Sequence, residues 1–416
     1  MNANDRAITG YVMAGHGLVH TYEMSIPILM TIWLLEFSVT AAVLGLVVTI
    51  GYGLFGVGAL PGGLLVDRYG SRLLIVGCLL GMGLSFLVLA LSPGIGGVAL
   101  ALAVWGIAAS VYHPAGLALI SNGVRDDVRG TAFAYHGMAG NGGIAFGPLA
   151  TALLLLAFEW RLVVAVLAVP ALLAAVAGLV TEFDETAAVQ VTDGGRDESS
   201  VDSLSAFVTS TRQVFTLGFA LVFVVVMFNG LYYRGVLTFL PELLDDFLVA
   251  FVGEFRLELF GPESPVAEEF DLAQYVYVGL LTIGIGGQYF GGKLTDRIAP
   301  ERGLVGMLLT LSAIALVFVP AAEASLATLF AASVALGFAL FAMQPLTQAT
   351  IAKYSPPDAR GLSFGYTYLG IFGIGALGAT VTGLVLTHAS VVAVFAVLAV
   401  FAAIGCVLAS GLVLRG

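Results

Sequence analysis

An all-α membrane protein of twelve transmembrane helices, in two six-helix lobes related by a parallel repeat, is the fold this sequence predicts. Three observations predict it. The 416 residues are 59% hydrophobic and only 10% charged, where a soluble domain carries roughly 25% charged residues and charge inside a bilayer is costly. Stretches without Asp, Glu, Lys or Arg fall at 37–66, 73–124, 130–158, 162–181, 213–233, 272–292, 303–322, 324–352 and 361–414, and a membrane helix needs about 20 mostly apolar residues. A charged turn, Gly63-Leu64-Leu65-Val66-Asp67-Arg68-Tyr69-Gly70-Ser71-Arg72, separates two apolar runs, with a reduced copy at Gly292-Lys293-Leu294-Thr295-Asp296-Arg297.

The first helix covers residues 7–35 and is interrupted only by Glu23. The runs 73–124 and 361–414 hold two helices each, with turns at Ser92-Pro93-Gly94 and His388-Ala389-Ser390. Each remaining run supplies one, twelve in all. Lys and Arg in the connecting loops set the orientation. With the N-terminus inside, thirteen of them lie inside and only Arg161 and Arg256 outside, so both termini are expected in the cytoplasm of a cell whose plasma membrane holds the protein. Residues 1–182 form the first lobe and 213–416 the second. The polar segment 183–212 reads as a flexible cytoplasmic linker, and about 242–272 as an acidic external loop with a short helix of its own.

Composition closes other routes. Sixteen of the 27 Asp and Glu lie in 182–202 and 242–271, both aqueous segments. Cys78 and Cys406 sit in apolar runs without metal-ligand spacing, so they read as packing residues. No signal peptide precedes the first helix. No Gly-x-x-x-x-Gly-Lys-Ser/Thr loop is present, which argues against ATP as the energy source. No cofactor, metal or nucleic acid is expected, and a membrane enzyme would need a clustered nucleophile or metal set that the chain does not display.

The halves repeat beyond the charged turn. Arg129-Gly130 recurs as Arg360-Gly361, and at the same offset Pro114 meets Pro345, Tyr135 meets Tyr366, and Gly142 and Gly147 meet Gly373 and Gly378. Both halves begin on the same side, a parallel repeat of the kind two-lobed transporters use.

At these residues the chain resembles the major facilitator superfamily, whose signature between helices 2 and 3 is Gly-x-Leu-x-Asp-Arg-x-Gly-Arg-Arg/Lys. Gly63, Leu65, Asp67, Arg68, Gly70 and Arg72 match it; Ser71 departs, and Ala299 replaces the second glycine beside Asp296 and Arg297. The resemblance implies that this motif latches the lobes on the cytoplasmic side in the outward-open state, with Asp67 at a neighbouring helix N-terminus. A charged turn that only fixes topology is the alternative. A narrower likeness, to the fosmidomycin-resistance branch, rests on Gly15-His16 with Pro27, Tyr112-His113-Pro114, Arg129-Gly130, and Thr238-Phe239-Leu240-Pro241 closing helix 7; His20 stands where that branch often has an acid.

Several residues are candidates for transport. Glu23 is the lone acid well inside a predicted helix, and His16, His20 and Glu23 share one helix face, which suggests a protonation cluster. A satisfied hydrogen-bonded group between helices is the alternative. A zinc site from the same three residues fits by spacing but has no further ligand nearby in the sequence. Arg234 is the lone base inside a predicted helix; it could bind an anion through its planar fork, pair with Glu23, or snorkel to outer head groups. His113 before Pro114 and Gln344 before Pro345 could line a cavity from pseudo-symmetric positions, or merely neighbour two kinks. His136 is a similar case. Tyr112 and Tyr233 are candidate cavity aromatics. The glycine-rich face of helix 5, from Gly137 to Gly147, resembles the family's exporter motif, and close packing alone also explains it. The expectation is a monomeric secondary transporter working by alternating access, proton-coupled, exporting a small compound or drug, with anions among the candidates. Proton-linked anion uptake and a non-transporting sensor are the alternatives.

Overall fold

The computed structural model describes residues 1–188, 204–253, 272–295, 297–356 and 360–414, and every regular element among them is helical. The first lobe holds α1 (Ala3–Glu36), α2 (Ala41–Tyr69), α3 (Ser71–Ala90), α4 (Ile95–Ser110), α5 (Tyr112–Gly123), α6 (Asp126–Leu155) and α7 (Trp160–Val180). α4 and α5 make one crossing, Ile95–Gly123, bent at Val111. Pro114 explains the bend, because its ring and missing N–H break the ladder just there. A short helix, α8 (Leu204–Val214), precedes the second lobe. That lobe holds α9 (Leu217–Val252), α10 (Leu272–Thr295), α11 (Pro300–Ala324), α12 (Leu326–Tyr354), α13 (Arg360–Tyr368), α14 (Leu377–His388) and α15 (Val391–Val413). α13 and α14 form one crossing through a π-helical turn, Leu369–Ile374.

Among the described residues, eleven spans are long and apolar enough to cross a membrane. α10 is the twelfth crossing, with 24 residues diluted in hydropathy by Gly, Gln and Tyr. The expected breaks fall where α3 gives way to α4 and α14 to α15. α1 starts where its sequence says it should: the Asn2 side chain accepts from Asp5 N at 2.8 Å while the Asp5 carboxylate accepts from Asn2 N at 2.8 Å.

The repeat is visible in the packing. In the first lobe α1 lies on α6, α2 on α4, and α3 on α7; in the second α9 lies on α14, α10 on α12, and α11 on α15. Counted by crossings, each partnership of the first lobe recurs six crossings later. The lobes meet where α2 packs on α14 and the π-helical turn, α1 on α9, and α6 on α10. The α2 contact is a backbone-to-backbone approach, since a Cβ at Gly56 would fall on the backbone of Phe372 and Gly373.

With twelve crossings, the start of α1 and the end of α15 lie on one face of the bundle. On the far face the lobes are stitched together. Ala42 N donates to Thr387 Oγ1 at 2.9 Å, Thr49 Oγ1 to Ala376 O at 2.9 Å, and Thr380 Oγ1 to Thr49 Oγ1 at 2.8 Å.

Two segments differ from the sequence expectation. Helix 7 does not close at Pro241: α9 runs on to Val252, so the stretch expected to open the external loop at 242 is helical, and 254–271 lies outside the described residues. Pro241 is accommodated because neighbouring helices can satisfy the freed carbonyl. Of the linker, 189–203 lies outside the described residues, and its last part is α8, which rests on α13 through a Thr211–Tyr366 hydrogen bond of 2.8 Å.

Candidate functional site

The site is built around the middle of α1. With one face of that helix against α6 and the other against the second lobe, Glu23 is 1% exposed and is the polar centre of the molecule. Glu23 Oε1 accepts from Arg234 Nη2 of α9, forming a buried ion pair that joins the two lobes. The longer α9 explains why Arg234 stands there: it lies midway along Leu217–Val252, is 1% exposed, and does not snorkel. The Tyr52 ring of α2 stacks on its guanidinium at 3.9 Å, with Phe372 at 5.5 Å and Tyr233 at 5.6 Å from the other lobe. Tyr52 also donates from its hydroxyl to Glu23 O at 3.1 Å. Arg234 Nε has no hydrogen-bond partner among the described residues, so the arginine holds one unused donor.

From Glu23 the polar contacts run into the first lobe. His20 Nδ1 lies 2.6 Å from Glu23 Oε2, His20 Nε2 lies 3.1 Å from His16 Nε2, and His16 Nδ1 lies 2.7 Å from His136 O. His136 stacks on His16 at 3.9 Å, and His113 stands edge-on to His16 at 5.3 Å. Four of the five histidines of the chain are thus gathered in one place, all buried. Glycine makes the room: a Cβ at Gly140 would collide with the His16 ring. Hydrogen-bond bookkeeping fixes the proton positions. His136 O can only accept, and Glu23 accepts from Arg234 as well, so both Nδ1 atoms act as donors. The two Nε2 atoms then face each other with lone pairs at 3.1 Å, and a cation shared by the two rings would relieve that contact. One ring nitrogen from each of His16, His20 and His113 lies within 4.8 Å of the other two, and these are the residues that could hold a metal.

The sequence candidates therefore divide. Glu23, His20, His16, Arg234, His113 and His136 come together. Tyr112 stacks on His16 at 5.7 Å and donates its hydroxyl to Val12 O, bracing α5 on α1. Tyr233 lies beside Arg234. Gln344 does not join them: it accepts from Gln288 Nε2 at 2.5 Å, within the second lobe. The pseudo-symmetry of His113 and Gln344 is therefore one of backbone position and not of shared chemistry. Four residues were not legible as site members: Tyr52, Phe55, Tyr368 and Phe372. Phe55, Tyr368 and Phe372 wall His113, at 5.7, 5.2 and 6.3 Å between ring centroids. Nothing local marks Tyr52 or Phe55. The signal for Phe372 was the spacing of Gly370, Gly373 and Gly375 around the π-helical turn, a feature common at functional sites.

The described residues of the charged turn make their contacts within the first lobe. Gly70 has a φ of 79°, a conformation glycine adopts freely, and it forms the α2–α3 corner. Arg72 donates to the carbonyls of Gly178, Leu179 and Thr181 at 2.8, 3.0 and 2.6 Å, capping the end of α7 within the first lobe. Gly63 has open space beside it, and Arg68 lies over the Tyr69 ring at 5.3 Å. Arg297 is exposed, with its backbone N donating to Leu294 O at 3.0 Å. The Asp67 side chain and Asp296 lie outside the described residues.

Twelve membrane crossings in two repeated lobes, with a buried charged centre where the lobes meet, define a transporter architecture. The sequence pattern of the Major Facilitator Superfamily matches residues 12–261 and 247–415, and the chain belongs to that family of membrane transporters. Its curated relatives include the puromycin resistance protein pur8 of Streptomyces alboniger, 39% identical over 121 residues, 29% of this chain and 24% of that protein. A Na(+), Li(+), K(+)/H(+) antiporter of Planococcus maritimus is 29% identical over 169 residues, 38% of each chain. The chain thus matches about a quarter to two fifths of the length of these relatives. Among solved structures, a bacterial homolog of the human lysosomal transporter Spinster, inward-facing and unoccupied, has a TM-score of 0.77 at 15% identity, covering 100% of this chain and 98% of that one. A nucleoside transporter mutant has a TM-score of 0.74 at 13% identity, covering 97% and 99%.

Proposed function

We propose that the protein is a proton-coupled secondary transporter of the plasma membrane, with both termini cytoplasmic, which exports a small anionic compound or drug by alternating access and does no covalent chemistry. The observation that carries this reading is the buried Glu23–Arg234 pair between the lobes. A proton on Glu23 removes the partner charge, and Arg234 is then left buried and unpaired. An anion entering between the lobes satisfies Arg234 through its free Nε and its fork. The Glu23 carboxylate and the anion therefore compete for one arginine, so a proton on Glu23 and an anion on Arg234 favour each other and move together, which links ion movement to opening of the lobe contact. The drug-resistance relative supports export as the direction, and the cation/proton antiporter supports the proton as the coupling ion.

Thermal unfolding in detergent tests the substrate class. The panel contains a phosphonate, other small organic anions, puromycin and alkali cations, each against wild type and Arg234→Gln. A ligand at a hundred times its Kd stabilises the folded state by about 2.7 kcal/mol. Stabilisation of wild type but not of the variant by an anion is the expected result. Equal stabilisation of both by puromycin or another lipophilic cation would make Arg234 structural and the protein a broad drug exporter.

A further inference from the structure

The histidine cluster has a second reading that concerns metal. We infer that His16, His20 and His113 form a binding site for one divalent transition-metal ion of the zinc class, with the fourth position left to water or an exogenous ligand. The inference stands on geometry alone and is independent of the proton-coupled cycle above.

Three features point to it. The first is convergence. Nitrogens from α1 and α5 lie within 4.8 Å of one another, and the closest pair, His16 Nε2 and His20 Nε2, is 3.1 Å apart. Ligands at about 2.0–2.1 Å around a tetrahedral ion stand roughly 3.3 Å from each other, so the pair needs almost no movement to ligate. The second is outer support. A ligating histidine typically donates its other N–H to a carboxylate or carbonyl, which fixes the tautomer that presents the lone pair. His20 Nδ1 is held by Glu23 at 2.6 Å and His16 Nδ1 by His136 O at 2.7 Å. Both rings are thereby set with Nε2 facing the shared gap. The third is the gap itself. Two lone pairs facing each other in a buried site repel unless a cation lies between them, and the Glu23 carboxylate behind His20 offsets part of its charge.

The donor set selects the ion. Three neutral imidazoles suit zinc, copper, nickel or cobalt; magnesium and calcium prefer oxygen ligands. Three protein ligands with an open fourth position is the arrangement of zinc sites that exchange ligands. All three ligands stand on first-lobe helices, α1 and α5, so an ion here would tie those two helices together.

The test uses the full chain purified in detergent without a histidine tag. Zn²⁺ is titrated by calorimetry, and Co²⁺ is added to read its visible d–d absorption. One Zn²⁺ per chain and the strong absorption of a four-coordinate nitrogen site are expected. His113→Gln and His16→Gln should each weaken binding by at least about 100-fold, since losing even an outer-shell partner costs 10–100-fold. His388→Gln removes the fifth histidine, which is exposed at the end of α14, and should leave affinity within about twofold of wild type. The Co²⁺ spectrum of the wild type needs no variant, so a poorly folding substitution does not blunt the test. No stoichiometric binding by folded wild type, or binding that survives in both cluster variants, would overturn the site. Because binding is read without transport, either result leaves the transport reading to its own experiment.

Discussion

Arg234→Gln should destabilise the protein by about 3–5 kcal/mol, the range expected when one partner of a buried ion pair is removed and the other is left charged. Among the described residues, the Glu23 carboxylate then keeps His20 alone as a partner, and it is 1% exposed. The double variant Glu23→Gln/Arg234→Gln removes both charges and should recover much of that loss. The reason is that the destabilisation of the single variant comes mainly from an uncompensated charge and not from the worth of the pair. Thermal unfolding in detergent checks both. Losses that simply add would show that the two side chains do not act as a unit.

Glu23→Gln should abolish coupling while leaving ligand binding in place. Glutamine keeps the size of the side chain but presents no charge to Arg234 and cannot exchange a proton. In proteoliposomes, substrate exchange at equal concentrations should continue, whereas accumulation driven by a pH gradient should fall to background. Wild-type accumulation by this variant would remove Glu23 from the coupling mechanism.

Much of the architecture could be read from the chain because the bilayer constrains it so heavily. Twelve crossings, their breaks at Ser92-Pro93-Gly94 and His388-Ala389-Ser390, and the repeat marked by Pro114 and Pro345 all follow from hydropathy and turn chemistry. The α1 face of His16, His20 and Glu23 was legible for the same reason, since helical spacing places them together whatever surrounds them. What joins them was not. His113 and His136 lie about a hundred residues on, and no local pattern says that α5 and α6 bring them to the same point. The metal reading was set aside at the sequence level for want of a further ligand; the fold supplies one from α5. Gln344 failed in the opposite direction: sequence symmetry put it opposite His113, but its amide found Gln288 and stayed within its own lobe. Pro241 misled as a helix end because a membrane helix surrounded by other helices tolerates proline.

On the proposed reading the Glu23–Arg234 pair joins the lobes at their buried centre, and a proton on Glu23 releases it so that the far-face contacts can part. Distances between two spin labels test it without knowledge of the substrate. Leu91→Cys in the first lobe and Val392→Cys in the second, 81% and 59% exposed, place labels at the far ends of α3 and α15 once Cys78 and Cys406 are replaced by serine. Pulsed electron paramagnetic resonance at neutral pH should give one distance for wild type, with a longer population growing as pH falls. Glu23→Gln should show the longer population already at neutral pH and no further response to acid. A pH-independent distance shared by wild type and variant would contradict the account.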